Sequence, residues 1–457
     1  MFIKSSFITA LTALALAAQA KILAPLNEPE GEGKVIPGRY IVRLKRPHSS
    51  ENTQVSGQQA LRSHGEWLTT LLSGMRAAAG EVRHYYSSGH FHGYAGSFGE
   101  EVIDKIRERP EVDYVEKDQM VHVADWKVLK PRTKMERRLY RSLKKDQRKK
   151  KPKKDGNVGM ADFRLGKRMV QTNAPWGLCR LSNKYLPRIF KRFTYPMTAG
   201  KGVDAYIIDT GINVEHMDFD GRAHWGITVP EDDQDIDGNG HGTHVAGTIG
   251  GKTYGVAKKT ELFAVKVLRT SGFGSNSDVI KGVEWVMDQH KKKKDKEMAP
   301  RSVANMSLGG GKSYALEEMI NQAVEAGVHF AVAAGNEGDD ACGYSPAGAQ
   351  LPLTVGAINE LDEMAFFSNN GKCVDVFAPG VDITSAWIGS PYALNTISGT
   401  SMATPHVVGI LALHLGGMNY TPKELKERII KMASKDIITG LPDDTPNVLV
   451  NIEQLSA

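Results

Sequence analysis

Apolar and polar positions divide the chain into three stretches with different rhythms. Near the amino end, Gly38-Arg-Tyr-Ile-Val-Arg-Leu-Lys45 alternates at the period of a strand. Residues 61–78 carry apolar positions at helical spacing, Gly93-Tyr-Ala-Gly-Ser-Phe98 is strand-like, and residues 101–108 form an amphipathic helix stopped by Pro110. Val112-Asp-Tyr-Val-Glu116 then leads to a last strand at Met120-Val-His-Val123. The order strand, helix, strand, strand, helix, strand predicts a small antiparallel sheet with two helices on one face.

From Asn173 onward the rhythm changes. Near-continuous apolar runs at 203–209, 262–267, 303–306, 328–334 and 352–356 read as strands covered on both faces. Helical patterns at 241–250, 277–290, 315–326 and 401–415 separate or follow them. This alternation predicts an α/β unit with a parallel sheet, right-handed crossovers and helices on its flanks. Functional groups in such sheets collect at the carboxyl ends of the strands.

Charge separates the two units. The chain's 457 residues carry a net +6, but residues 125–168 hold 18 Lys+Arg against 5 Asp+Glu, and residues 169–457 hold 26 against 33. A run such as Lys144-Lys-Asp-Gln-Arg-Lys-Lys-Lys-Pro-Lys-Lys154 has almost nothing to bury and reads first as a solvated linker. Nucleic-acid binding is the second reading, since Lys and Arg neutralise phosphates. Sparse aromatic residues and a secretory start argue against it. The third is a protease-sensitive spacer whose last dibasic site is Lys167-Arg168. Met1-Phe-Ile-Lys4, an apolar run to Ala17 and Ala18-Gln-Ala20 have the form of a signal peptide, too short to span a bilayer. The expected division is therefore signal peptide 1–20, small α+β unit 21–124, basic linker 125–168, to be removed, and large α/β unit 169–457. Secretory routing permits disulfides, and with Cys179, Cys342 and Cys373 as the full set one bridge is the maximum.

The chemistry lies in three stretches. Asp209 closes the first strong strand in Ile207-Ile-Asp-Thr-Gly-Ile212. His241 opens a helix in Gly240-His-Gly-Thr-His-Val-Ala-Gly247. Ser401 opens another in Thr396-Ile-Ser-Gly-Thr-Ser-Met-Ala-Thr-Pro-His406. A nucleophile, a base and an acid that orients the base are what acyl transfer needs. A serine at a helix start also places the oxyanion it would make beside unpaired N–H groups. Each residue has a plainer reading: Asp209 a capping or calcium acid, Ser401 a helix cap, His241 and His244 a metal pair. The last lacks the Glu of His-Glu-x-x-His. Asp233-Gln-Asp-Ile-Asp-Gly238 imitates a calcium loop, but His244 stands where that loop needs Glu.

Taken together, Tyr206-Ile-Ile-Asp-Thr-Gly-Ile212, Asp237-Gly-Asn-Gly-His-Gly-Thr-His-Val-Ala-Gly247, Ala304-Asn-Met-Ser-Leu-Gly-Gly310, Ala331-Val-Ala-Ala-Gly-Asn-Glu337 and Ser398-Gly-Thr-Ser-Met-Ala-Thr-Pro-His406 resemble the subtilisin-like serine proteases, in their proteinase K and cerevisin branch. Residues 38–123 resemble the family's inhibitory propeptide. The resemblance implies a self-inhibited precursor of a serine endopeptidase with Asp209, His241 and Ser401 catalytic and Asn336 in the oxyanion hole. Ser307, Leu308, Gly309 and Gly310 on one side, with Gly272 and Gly274 on the other, would sandwich a substrate strand. Ala333, Ala334 and Gly335 would line a first specificity pocket for large apolar side chains. It also implies a Cys342–Cys373 bridge, a buried free thiol at Cys179, and a structural calcium on Asp375 with the carbonyls of Gln350 and Pro352. No cofactor is required. Of two glycosylation sequons, Asn305 would be buried, leaving Asn419. Expected partners are polypeptide substrates and the chain's own propeptide, without nucleic acid or a transmembrane segment, on a monomer that is secreted, wall-bound or vacuolar. The rival reading is a degenerate, non-catalytic protease held in the wall by its basic segment, and intact Asp209, His241, Asn336 and Ser401 argue against it.

Overall fold

Two large sheets dominate the fold, beside a two-stranded and a three-stranded one among the described residues. The computed structural model describes residues 23–29, 33–46, 53–75, 80–124, 158–159, 168–188, 190–296 and 299–452. The expected signal peptide and nearly all of the basic segment lie outside these residues. The amino-terminal unit runs β1 (Lys34–Leu44), α1 (Thr53–Gly74), β2 (Gly80–Tyr86), β3 (Gly93–Phe98), α2 (Glu100–Arg107) and β4 (Val112–Val123), in the expected order. Its strands lie antiparallel in the order β4-β1-β3-β2.

The alternation in β1 has a direct structural meaning. Tyr40, Val42 and Leu44 face the unit's own helices, packing with Leu61, Leu68, Val102 and Ile106. Ile41 points the other way and joins Tyr86, Phe91 and Val121 in a core shared with the second unit. The stretches read as separate at 112–116 and 120–123 are one strand. Asp118 between them is polar but fully buried, bonded to Ser277 of the second unit, so its polarity did not mark a break.

The second unit contains β5 (Asp204–Asp209), β6 (Ala223–Thr228), α3 (His241–Gly250), β7 (Glu261–Lys266), β8 (Phe273–Ser275), α4 (Asn276–Lys294), β9 (Ser302–Met306), β10 (Leu308–Gly311), α5 (Tyr314–Glu325), β11 (His329–Ala333), β12 (Leu353–Ile358), β13 (Val376–Pro379), α6 (Thr400–Leu415), α7 (Pro422–Met432), β14 (Ser434–Lys435) and β15 (Val448–Leu449). The main sheet runs β6-β7-β5-β9-β11-β12-β13-β15-β14, parallel except for the last pair. Strands β5, β7, β9, β11 and β12 and helices α3 to α6 coincide with the expected apolar and helical runs. Strand β6, which is bulged at Trp225, and the short β13, β14 and β15 lie outside those runs. Every residue of α6 is buried, which explains why that helix is apolar all round and not amphipathic. Helices α3 and α6 cover one face of the sheet, and α4 and α5 the other. Among the described residues no helix is long and apolar enough to cross a membrane.

Cys342 and Cys373 are joined in a disulfide, and Cys179 is a buried free cysteine. The Cys179 thiol donates to Ala174 O at 3.3 Å, and burial pushes its pKa up to about 11. A protonated, enclosed thiol is a poor nucleophile. Iodoacetamide should therefore leave Cys179 untouched in the native protein and label it only after unfolding. A peptide map with Cys179 bridged to either other cysteine would contradict this arrangement.

Candidate active site

Strand β5 delivers Asp209 to its carboxyl end, and α3 starts with His241 directly opposite. Gly211 and Gly242 make that approach possible. A Cβ on Gly242 would lie 2.1 Å from Gly211 O, and Gly211 itself has φ +112°. His241 Nδ1 lies 2.8 and 3.0 Å from the two carboxylate oxygens of Asp209, both residues being buried. A carboxylate on Nδ1 keeps the proton there and leaves Nε2 as the basic nitrogen.

Asp237 fixes the strand end to the helix start. Its Oδ1 accepts from Thr210 Oγ1 at 2.9 Å and Gly240 N at 2.8 Å, and its Oδ2 accepts from Thr243 Oγ1 at 2.6 Å and Thr243 N at 3.0 Å. Within the stretch that imitates a calcium loop, Asp237 is thus a helix cap. His244 is not paired with a metal partner either. Its Nε2 meets Ile383 O at 2.9 Å, and burial lowers its pKa to about 3.

Ser401 is the second residue of α6, after an extended Gly399 at φ 159°, ψ 163°. Its hydroxyl donates to Ser307 O at 3.1 Å, and Ser307 Oγ returns a bond to Ser401 O at 2.9 Å. Asn336 stands beside it. Its Oδ1 accepts from Thr400 N and Thr400 Oγ1, both at 2.9 Å. That pair fixes the amide so that Nδ2 faces outward, where it donates to Ala124 O at 2.5 Å. From the sequence Thr210, Thr243 and Thr400 have no assigned role, and Asp237 only that of a rejected calcium-loop acid. Their only signal is that they stand within a few residues of Asp209, His241 or Ser401.

The carboxyl end of β4 fills the cleft. It pairs antiparallel with β8, Gly274 opposite Val121, and with β10, Leu308 opposite Val123 and Gly309 opposite His122. Val123 N donates to Gly272 O at 3.0 Å, and Ala124 N to Ser307 O at 3.2 Å. Both expected edges therefore hold one extended strand between them, which is recognition by β-strand addition. Ala124 lines a small pocket together with Gly309, Gly310, Ala333, Ala334, Gly335, Glu337, Tyr344 and Ala347.

A profile of the subtilase family matches residues 200–449, and one described as peptidase inhibitor I9 matches residues 39–124.

The chain belongs to the subtilase family.

It is 43% identical over 463 residues to "Subtilisin-like protease 8" of Trichophyton verrucosum, covering 94% of this chain and 83% of that one. It is equally similar, at 43%, to "Alkaline protease 2" of Aspergillus fumigatus over 94% and 83% of the two chains. The same identity, over 94% and 90%, relates it to "Subtilisin-like serine protease Pen c 2" of Penicillium citrinum. The crystal structure of a cold adapted subtilisin-like serine proteinase shares 45% identity and a TM-score of 0.56, covering 61% of this chain and 98% of the other. The protein is thus a subtilisin-like serine protease that carries an I9 propeptide.

The subtilase's propeptide rests on helices α4 and α5 through an acidic surface. Arg43, buried, forms a fork with Glu318 at 2.7 and 3.2 Å. His84 meets Asp278 at 2.8 Å, and Ser87 N and Ser88 N both donate to Glu284. On the propeptide side, Glu116 accepts from Ser313 Oγ at 2.5 Å and Ala315 N at 3.1 Å, at the start of α5. Burial pushes Glu116 up from 4.5 to about 7, against those two bonds. A docked carboxyl with a raised pKa binds its proton more tightly than the free one. Its contribution to docking is complete below the free value and is lost as the pH rises through about 7. Docking of the separate propeptide should weaken by roughly 10- to 100-fold between about pH 5 and pH 8. Glu116→Gln should flatten that slope, as read by inhibition constants across pH, and an unchanged slope would remove Glu116 as its cause.

Proposed function

We propose that the precursor cuts itself between Ala124 and Asp125, and that the released unit is a broad-specificity serine endopeptidase acting through an acyl-enzyme on Ser401. Ser401 Oγ attacks the substrate carbonyl while His241 Nε2 takes its proton. Asp209 orients the imidazole and stabilises the charge it gains. The oxyanion is met by Asn336 Nδ2 and by the Ser401 N–H at the start of α6. His241 then hands its proton to the leaving amine, and water repeats the sequence to release the acid. The observation that carries this reading is the Ala124 carbonyl on Asn336 Nδ2 at 2.5 Å, at the end of a strand gripped on both sides. The small residues Gly309, Gly310, Ala333, Ala334 and Gly335 around the Ala124 side chain support a preference for a large apolar side chain before the scissile bond.

On this reading residues 1–20 direct the chain to the secretory route, ending outside the cell, in the wall or in the vacuole. The mature enzyme works as a monomer without a required cofactor. Asn419, exposed just before α7, is the glycan acceptor, while Asn305 is fully buried in β9. The basic segment is trimmed after Lys167-Arg168. Arg168 opens a strand, Arg168–Thr172, paired with Arg192–Pro196, so that cut needs the strand's first residue to open.

The test is a time course of amino termini from purified precursor, with and without a dibasic-specific processing protease, beside labelling with a fluorophosphonate. Asp125 should appear first and unaided, Met169 only with the processing protease, and the label should sit on Ser401. A first product starting elsewhere, or a fully mature protein that takes no label, would overturn the reading.

A further inference from the structure

Helix α7 brings Lys426 to a point where three oxygens converge. Its Nζ donates to Pro352 O at 2.6 Å, to Asp375 Oδ2 at 2.9 Å and to Gln350 O at 3.3 Å. These are the same three oxygens that the family resemblance offers to a calcium ion. Two carbonyls and a carboxylate are hard ligands of the right kind, but calcium takes 6–8 of them at about 2.3–2.6 Å. The ammonium already stands at their common point, and a metal there would lie against a positive charge. An ammonium also matches the cradle better. It has three N–H donors for three acceptors, and its single charge balances the single carboxylate.

We propose that Lys426 is the resident cation of this cradle and that it does without metal what a bound calcium would do there. The cradle joins three parts of the fold. Gln350 and Pro352 end the loop that carries Ala347 of the substrate pocket, and Thr354 Oγ1 donates to Ala347 O at 2.9 Å. Asp375 precedes β13 and is tied to β12, its Oδ2 accepting from Thr354 N at 2.9 Å and its N donating to Thr354 O at 3.0 Å. Burial raises the Asp375 pKa, and Lys426 is the leading influence that pulls it back. Without a cation the carboxylate would be a poorly compensated, half-buried charge. Lysine ammonium groups bridge backbone carbonyls elsewhere in the unit, with a carboxylate beside Lys266. Lys266 Nζ donates to Thr210 O and Leu268 O, both at 3.0 Å, with Asp233 at 3.1 Å. Lys258 Nζ donates to Gly255 O at 2.8 Å and Thr253 O at 3.4 Å.

The experiment uses the full chain carrying Ser401→Ala, so that self-digestion does not obscure melting. Melting temperature is read in EDTA and in calcium chloride, and the difference between them is the calcium increment. Lys426→Ala should melt lower in EDTA and recover in calcium. Its increment should exceed the parent's by roughly 3–5 °C at about tenfold over the dissociation constant. Adding Asp375→Asn to Lys426→Ala should abolish the extra increment. Equal increments in parent and Lys426→Ala would overturn the proposal. So would a parent increment that Asp375→Asn removes, since metal would then be binding at Asp375 with the lysine present. If Lys426→Ala does not fold, Lys426→Gln serves, with calorimetric titration of calcium chloride as the readout. Heat from calcium at the Asp375 site in that variant and not in the parent supports the assignment, and heat in both or in neither refutes it.

Discussion

Purified Ser401→Ala precursor stays in one piece. The hydroxyl that is lost donates only to Ser307 O, and the bond from Ser307 Oγ ends on the Ser401 backbone, which the substitution keeps. The fold, the disulfide and the docked propeptide should therefore be unchanged. Catalysis should fall by about six orders of magnitude, the loss that removal of the nucleophile causes in subtilisin, leaving only what binding and oxyanion stabilisation supply. His241→Ala should fall about as far, because nucleophile and base act as one unit and their losses do not add. Intact mass over days, in a preparation free of other proteases, is the measurement. A Ser401→Ala chain that still separates at Ala124 on its own would remove Ser401 as nucleophile.

Asn336→Ala should keep substrate binding and lose turnover. Its Nδ2 is the side-chain donor on the Ala124 carbonyl, and a donor aimed at that oxygen is worth most when the oxygen carries negative charge. The expected loss is about 10²–10³ in kcat, with KM nearly constant, the size found for such a donor in subtilisin. Thr400→Val should show a weaker version of the same signature. It removes the hydroxyl on Asn336 Oδ1 but leaves the backbone N–H of residue 400 on the same oxygen. A rise in KM with kcat unchanged would mean that Asn336 binds substrate uniformly and does not stabilise the oxyanion.

The inhibition and the cut proposed for the propeptide both follow from one placement. β4 lies between β8 and β10 as an extended substrate would, yet it is also the edge strand of the propeptide's own antiparallel sheet, paired along most of its length with β1. A strand held by its own fold, by Arg43 on Glu318 and by His84 on Asp278 does not leave the cleft as readily as a free peptide product. Release should then require breaking contacts far from Ser401, and the burial that raises the Glu116 pKa should make part of that release depend on pH.

Much of this was legible in the residues. Hydrophobic period alone separates the alternating amino-terminal strands from the continuous apolar strands of the second unit, because it reports how many faces of a strand are covered. Local chain signals set Asp209 at a strand end and His241 and Ser401 at helix starts. Those signals act within a few residues, and a single sequence holds them in full. What they leave open is distance. The 2.8 Å contact of His241 with Asp209, the fork from Arg43 to Glu318 and the strand of residues 112–123 in the cleft all join residues far apart in the chain. Asp118 shows why pattern fails at such places: a charged residue reads as surface until a distant partner is known to cover it. Lys426 shows it again. In the sequence it is one basic residue among Lys423, Lys426, Arg428 and Lys431, and the family resemblance offers Asp375 with two carbonyls to a metal. Only the packing of α7 against the turn at Gln350 brings the ammonium to those oxygens, because which cation a cradle holds is decided by which charge can physically reach it.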